Sequence, residues 1–119
     1  MKLKLREILE HGHEKERIVI DVIENANLKF YMIFDTTYSK QHYISNKLRH
    51  PYWFPEIEVT EDDVIILYTK KGKYSWKKRI DGATTHFFYW GLDSNVWNDD
   101  GDAAILFEID GWESLKAHP

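Results

Sequence analysis

Between Phe87 and Phe107 the sequence reads FFYWGLDSNVWNDDGDAAILF. Four consecutive aromatics give way to a polar stretch with four acids between Asp93 and Asp102, a second Trp, and then a renewed apolar run. Aromatic and β-branched residues favour pleated, half-buried surfaces, whereas Asn, Asp and Gly favour turns. The stretch therefore predicts a strand over 85–92, a loop, and a strand over 102–109. Gly101 supplies a permissive backbone position just before the second strand.

Three further runs carry the same signature. RIVIDVIEN (17–25) places Ile18, Ile20 and Val22 at alternate positions, as in a strand buried more on one side. LKFYMIFDTTY (28–38) is aromatic and aliphatic until Asp35, Thr36 and Thr37 close it. DDVIILYT (62–69) reads as the central strand, with Asp62 and Asp63 before it and Gly72 beyond it. In HPYWFP (50–55), Pro51 and Pro55 exclude a central ladder position, so its aromatics are expected to dock from an edge or corner. LREILEHG (5–12) fits two patterns: Leu5, Ile8 and Leu9 have helical spacing with Gly12 as a cap, while Leu3 and Leu5 alternate as in a strand. Short strands punctuated by turns, without a long helical pattern, predict an all-β sandwich or barrel.

At 119 residues the chain is the size of one domain, and one domain over 1–119 is expected. The absence of Cys removes disulfides and thiolate chemistry and fits a reducing compartment. MKLKLREILEHGHEKE lacks the apolar run of a secretory signal, and no segment is long enough to span a bilayer as a helix. A cytoplasmic protein without a membrane partner is the simplest expectation.

The net charge of −4 speaks against nucleic-acid binding by the whole surface, yet the distribution is uneven. KKGKYSWKKR places six of the 16 basic residues in ten positions with no acid: Lys70, Lys71, Lys73, Lys77, Lys78 and Arg79. Tyr74 and Trp76 are interleaved with them. These eight residues are the candidate binding site, read as a basic loop. Its cations suit an acidic protein surface. Alternatively they hold phosphates while an aromatic stacks on a base. The plain structural reading is a solvated loop whose lysines keep a strand edge unpaired.

Other constellations carry less. Trp97-Asn98-Asp99-Asp100-Gly101-Asp102 fits a buried Trp anchoring a loop whose Asn and Asp side chains bond its own amides. As a calcium loop it fails, because Gly101 in the sixth position puts Val96 first and Phe107 twelfth. His11 and His13 would share a face of one strand, but with His42, His50, His86 and His118 they show no zinc spacing. Ser39, Ser45, Ser75, Ser94 and Ser114 lie in no nucleophile elbow, and no Gly-rich loop cradles a phosphate. No cofactor, metal or catalytic residue is expected.

VIEN with LKFYMIFD, YWFPEIEVTEDDVIILYT and YWGLDSNVWNDDGDAAILFEIDG, in this order, resemble the lamin tail domain family over roughly residues 17–111. The most specific elements are Trp97-Asn98 and Gly101-Asp102. Two features depart from the family pattern: Asp62-Asp63 replaces the usual turn Gly before the central strand, and KFYMIFD stands where the family reads SGW.L. The resemblance implies an immunoglobulin-like β-sandwich that opens with a strand over 3–9. It also implies a non-catalytic binding module, with a protein of unknown identity as partner. A nucleic-acid-binding module using 70–79 is the alternative, and a small hydrolase or sugar-binding β-domain is a third class, since exposed aromatics also stack on sugars.

Overall fold

The computed structural model describes residues 1–38, 44–97 and 101–118. Ser39, His42, Asn98, Asp99 and Asp100, which entered the serine, histidine and acidic-loop readings, lie outside them. The described residues form an all-β chain: β1 Leu3–Leu9, β2 Arg17–Val22, β3 Ala26–Asn27, β4 Tyr31–Thr37, β5 Arg49–Trp53, β6 Glu58–Val59, β7 Val64–Tyr68, β8 Ser75–Lys78, β9 Thr84–Tyr89 and β10 Asp102–Glu108. A single 3-10 turn, Leu28–Phe30, precedes β4 and shortens the strand expected over 28–38. Asn27 caps this turn, its side chain accepting from the Lys29 amide at 3.0 Å.

Five strands form one sheet in the order β1-β2-β7-β9-β8, and three form a second in the order β10-β4-β5. β3 and β6 make a separate two-stranded ladder. All neighbours are antiparallel except β7 and β9, which are parallel. The ambiguous segment 5–12 is therefore mostly strand, paired in register Leu3↔Val22 to Leu9↔Arg17 with an irregularity between Leu5 and Glu7. HPYWFP contributes β5, an edge strand, as its prolines require.

Period-two burial explains why the sheets stack. Ile18, Ile20, Ile65, Leu67 and Phe88 point inward from the larger sheet, and Tyr31 and Ile33 from the smaller, into one core cluster. An edge-to-face contact joins the layers: Phe54, just after β5, meets Phe88 of β9 at 5.3 Å, and Tyr52 of β5 packs against Phe54 at 5.0 Å. Burying one such aromatic contributes roughly 1.5–3 kcal/mol. Tyr52 feels the same burial, which pushes its phenol up to about 12.

Asp62, in the turn before β7, has φ 74°. This left-handed conformation favours Gly, but Asp tolerates it better than most residues.

Candidate functional site

Segment 70–79 is only partly the loop expected from sequence. Ser75–Lys78 is β8, the outer edge of the five-stranded sheet, in register Ser75↔Phe87 to Lys78↔Thr84. A tight turn holds that register: the Arg79 amide donates to the Ala83 carbonyl at 2.8 Å and the Gly82 amide to the Arg79 carbonyl at 3.0 Å. Gly82, at φ 89°, supplies the left-handed residue of this three-residue hairpin. The run of lysines concealed the strand, because alternating apolar residues are absent from an edge exposed on both faces.

Upstream, Lys70, Lys71 and Lys73 lie on the stretch that passes Tyr89. A Cβ on Gly72 would collide with the Tyr89 ring, so this approach requires glycine. Lys70 Nζ sits 5.3 Å over the Tyr68 ring, and Tyr68 stacks on Tyr89 with centroids 5.3 Å apart. Lys71 pairs with Asp93 at 2.9 Å, both well exposed; exposed pairs of this kind contribute little.

The eight candidate residues thus divide. Arg79 is an anchor: its guanidinium donates to the Asp62 carbonyl at 2.8 Å and pairs with Asp81 at 3.1 Å. Tyr74 belongs to the core margin, its ring stacked near His86 and tilted against Phe88 at 4.8 Å. Trp76 is 59% exposed. It is paired with His86, and directly opposed side chains share a face, so it stands on the inner side of the sheet beyond the covered core. Lys77 is paired with Thr85 and points to the outer side. Lys78 shares the face of Trp76 and reaches the Gly82 carbonyl at 3.3 Å.

Beneath the strand, buried Asp63 and His86 connect to the partly exposed Tyr74 hydroxyl in a polar line that sequence reading missed. Asp63 accepts from the amides of Thr60 and Thr84 at 3.0 and 2.9 Å. His86 Nε2 is 3.0 Å from Asp63, and His86 Nδ1 is 2.9 Å from the Tyr74 hydroxyl. Burial alone would raise the Asp63 carboxyl, but the two amides and His86 outweigh it and hold it below the usual carboxylate range. An ionised Asp63 only accepts, so His86 Nε2 donates to it. Burial first, and the Asp63 charge second, push the Tyr74 phenol up. The line ties the start of β8 and β9 to the turn before β7.

Glu16 was also missed. Its fully buried carboxylate accepts from Thr69 Oγ1 at 2.7 Å and from the amides of Gly12, Val96 and Trp97 at 2.8, 2.9 and 3.2 Å. Nothing in HEKER separates this acid from its solvated neighbours. Trp97, expected to be buried, is 2% exposed and donates from its indole to the Ala103 carbonyl at 3.0 Å.

On the outer face of the smaller sheet, a groove of about 460 Å³ is lined by Met32, Phe34, Leu48, Trp53, Phe107 and Trp112 among others. Trp53 and Trp112 meet edge to face at 4.9 Å. The Trp53 indole N–H is taken by the Lys29 carbonyl at 2.7 Å. Glu108, the charged residue at the groove, accepts from Tyr31 at 2.6 Å. A sugar would find aromatic surface here but few uncommitted polar partners.

His11 and His13 lie in the turn between β1 and β2, not on one strand as the sequence suggested. Among the described residues no group of three or more His, Cys, Asp or Glu is placed to hold a metal ion, and no helix is long and apolar enough to cross a membrane. No protein-family model matches the chain, and no curated protein matches it.

Proposed function

We propose that the chain is a non-catalytic interaction module, an immunoglobulin-like β-sandwich of the lamin tail type, that binds an acidic protein partner through β8 and its flanking lysines. The observation that carries this reading is the placement of Trp76, Lys77 and Lys78 on an exposed sheet edge, with Lys73 and the Lys70–Lys71 pair just before it. The β8–β9 register sets the spacing of Trp76, Lys77 and Lys78, which favours complementary recognition over diffuse attraction. Arg79 and Tyr74 support the surface and do not contact the partner. Pull-down from native lysate tests the reading: an acidic protein retained by the wild type at low salt should be lost from the Lys77→Glu/Lys78→Glu variant. Equal retention by both would defeat it.

One observation favours the nucleic-acid alternative on the same surface. Trp76 presents an exposed indole beside two lysines, the combination that lets a base stack while phosphates are held. Fluorescence anisotropy with a labelled single-stranded oligonucleotide decides between them. If three or four cations touch phosphates, the slope of log affinity against log salt should be roughly −2 to −3; absence of binding at low salt removes this alternative.

A further inference from the structure

We infer that the partner is captured as an added β-strand: an extended acidic segment pairs its backbone with the free edge of β8. The inference rests on the interaction-module reading and specifies its mode.

The register identifies the backbone groups available. Antiparallel ladders alternate residues that exchange both hydrogen bonds with residues whose amide and carbonyl point away. Arg79 bonds Ala83 through its amide, in line with the pairing Lys77↔Thr85 and Ser75↔Phe87. Ser75, Lys77 and Arg79 therefore face β9, and the backbone groups of Trp76 and Lys78 face outward. Among the described residues β8 has no neighbour on that side. Two residues with outward groups offer up to four hydrogen bonds, the footprint of a short added strand.

The side chains identify the occupant. Lys77 projects from one face and Trp76 with Lys78 from the other, while Lys70, Lys71 and Lys73 extend the positive charge toward β7. A second copy of this chain fits poorly. Antiparallel registers of two copies centred on Lys77 or Lys78 set like charges directly opposite, and every such register brings the lysines of both copies together along one edge. A segment with acids on the face shared with Lys77 and a β-branched or aromatic residue on the face shared with Trp76 satisfies both sides. The occupant is thus an extended stretch of an acidic protein in which acidic and apolar residues alternate.

Proline separates backbone pairing from charge. Lys78→Pro removes an outward amide and leaves the β8–β9 ladder, which runs through Ser75, Lys77 and Arg79, with its donors. Lys78→Ala removes the same charge and keeps the amide. The probe is a short fluorescein-labelled peptide of alternating Glu and Val, titrated at low salt with circular dichroism on each variant. Strand addition requires Lys78→Pro to bind about tenfold or more weaker than Lys78→Ala, and backbone N-methylation of the peptide to abolish binding to the wild type. The N-methylated peptide needs no change in the protein, so it decides the matter even if Lys78→Pro does not fold. Equal affinity of Lys78→Pro and Lys78→Ala, with binding of the N-methylated peptide retained, would overturn strand addition and leave the electrostatic module standing. No peptide bound by the wild type would overturn both. Single-strand oligonucleotide bound equally by the two Lys78 variants, without peptide binding, would overturn the proposal in favour of nucleic acid.

Discussion

The carboxylate of Glu16 accepts the main-chain amide of Trp97 across 81 residues of sequence, at 3.2 Å. The same carboxylate holds Gly12, Thr69 and Val96, so one side chain joins the β1–β2 turn, the exit of β7 and the segment ending at Trp97. Glu16→Gln keeps the shape but turns an NH2 group toward amides that can only donate. The expected loss is about 3 kcal/mol by urea denaturation; a loss below roughly 1 kcal/mol would mean that water readily takes the carboxylate's place.

Trp97→Ala removes a buried indole and its bond to Ala103, and should cost about 3–5 kcal/mol. Trp76→Ala, a change of the same chemistry on the exposed edge, should stay within about 0.5 kcal/mol. Thermal melts of the two variants give the contrast directly, and comparable losses would contradict the assigned exposures.

Asp63 makes stability depend on pH on the acid side. Its carboxyl is held below its unfolded value, near 3.9, so the unfolded chain takes up the proton first. The stabilisation it gives is present above about pH 4–5 and is lost as pH falls through the lower folded value. Asp63→Asn should be less stable at neutral pH, and its deficit relative to wild type should shrink below about pH 4. A deficit constant from pH 7 to pH 3 would remove Asp63 from the acid transition.

Within 70–79, Arg79 should behave unlike the lysines. Lys77→Glu and Lys78→Glu change exposed charges and should leave the melting temperature nearly unchanged. Arg79→Ala frees the Asp62 carbonyl and the turn, and should cost roughly 1 kcal/mol. Loss of binding by Arg79→Ala with unchanged stability would instead make it a contact residue.

Gly72→Ala tests the path of the basic segment. Its new methyl would collide with the Tyr89 ring, and the forced shift should cost about 1–3 kcal/mol. A neutral result would show that the segment moves aside freely.

Sequence pattern revealed β2, β4, β7, β9 and β10, whose buried positions recur along enough residues to show a period. Ile18, Ile20 and Val22 alternate because only one side of β2 meets the other sheet, and the apolar run at β7 betrays its central position. β8 was illegible for the converse reason: with both faces in solvent, no burial imposes a period, and its strand character comes from pairing with β9 and the Gly82 turn. The basic surface was visible as composition, but the separation of Arg79 from Lys77 was not, because it depends on Asp62 being brought close by the fold. Glu16 and the Asp63–His86–Tyr74 line escaped for the same cause. A buried acid is recognised by the amides around it, and those amides come from positions up to 81 residues away.

The parallel pairing of β7 and β9 means that the strand next to β7 in space is not the next in the chain. The β8–β9 hairpin can close locally, whereas seating β9 beside β7 must wait for a longer loop to form. In native-state hydrogen exchange β8 should therefore open by peeling, at low free energy, while β9 stays locked until the whole sheet unravels. A strand added to β8 would turn an outermost element into an interior one, so occupancy would be recorded as slowed exchange at the amides of Trp76 and Lys78.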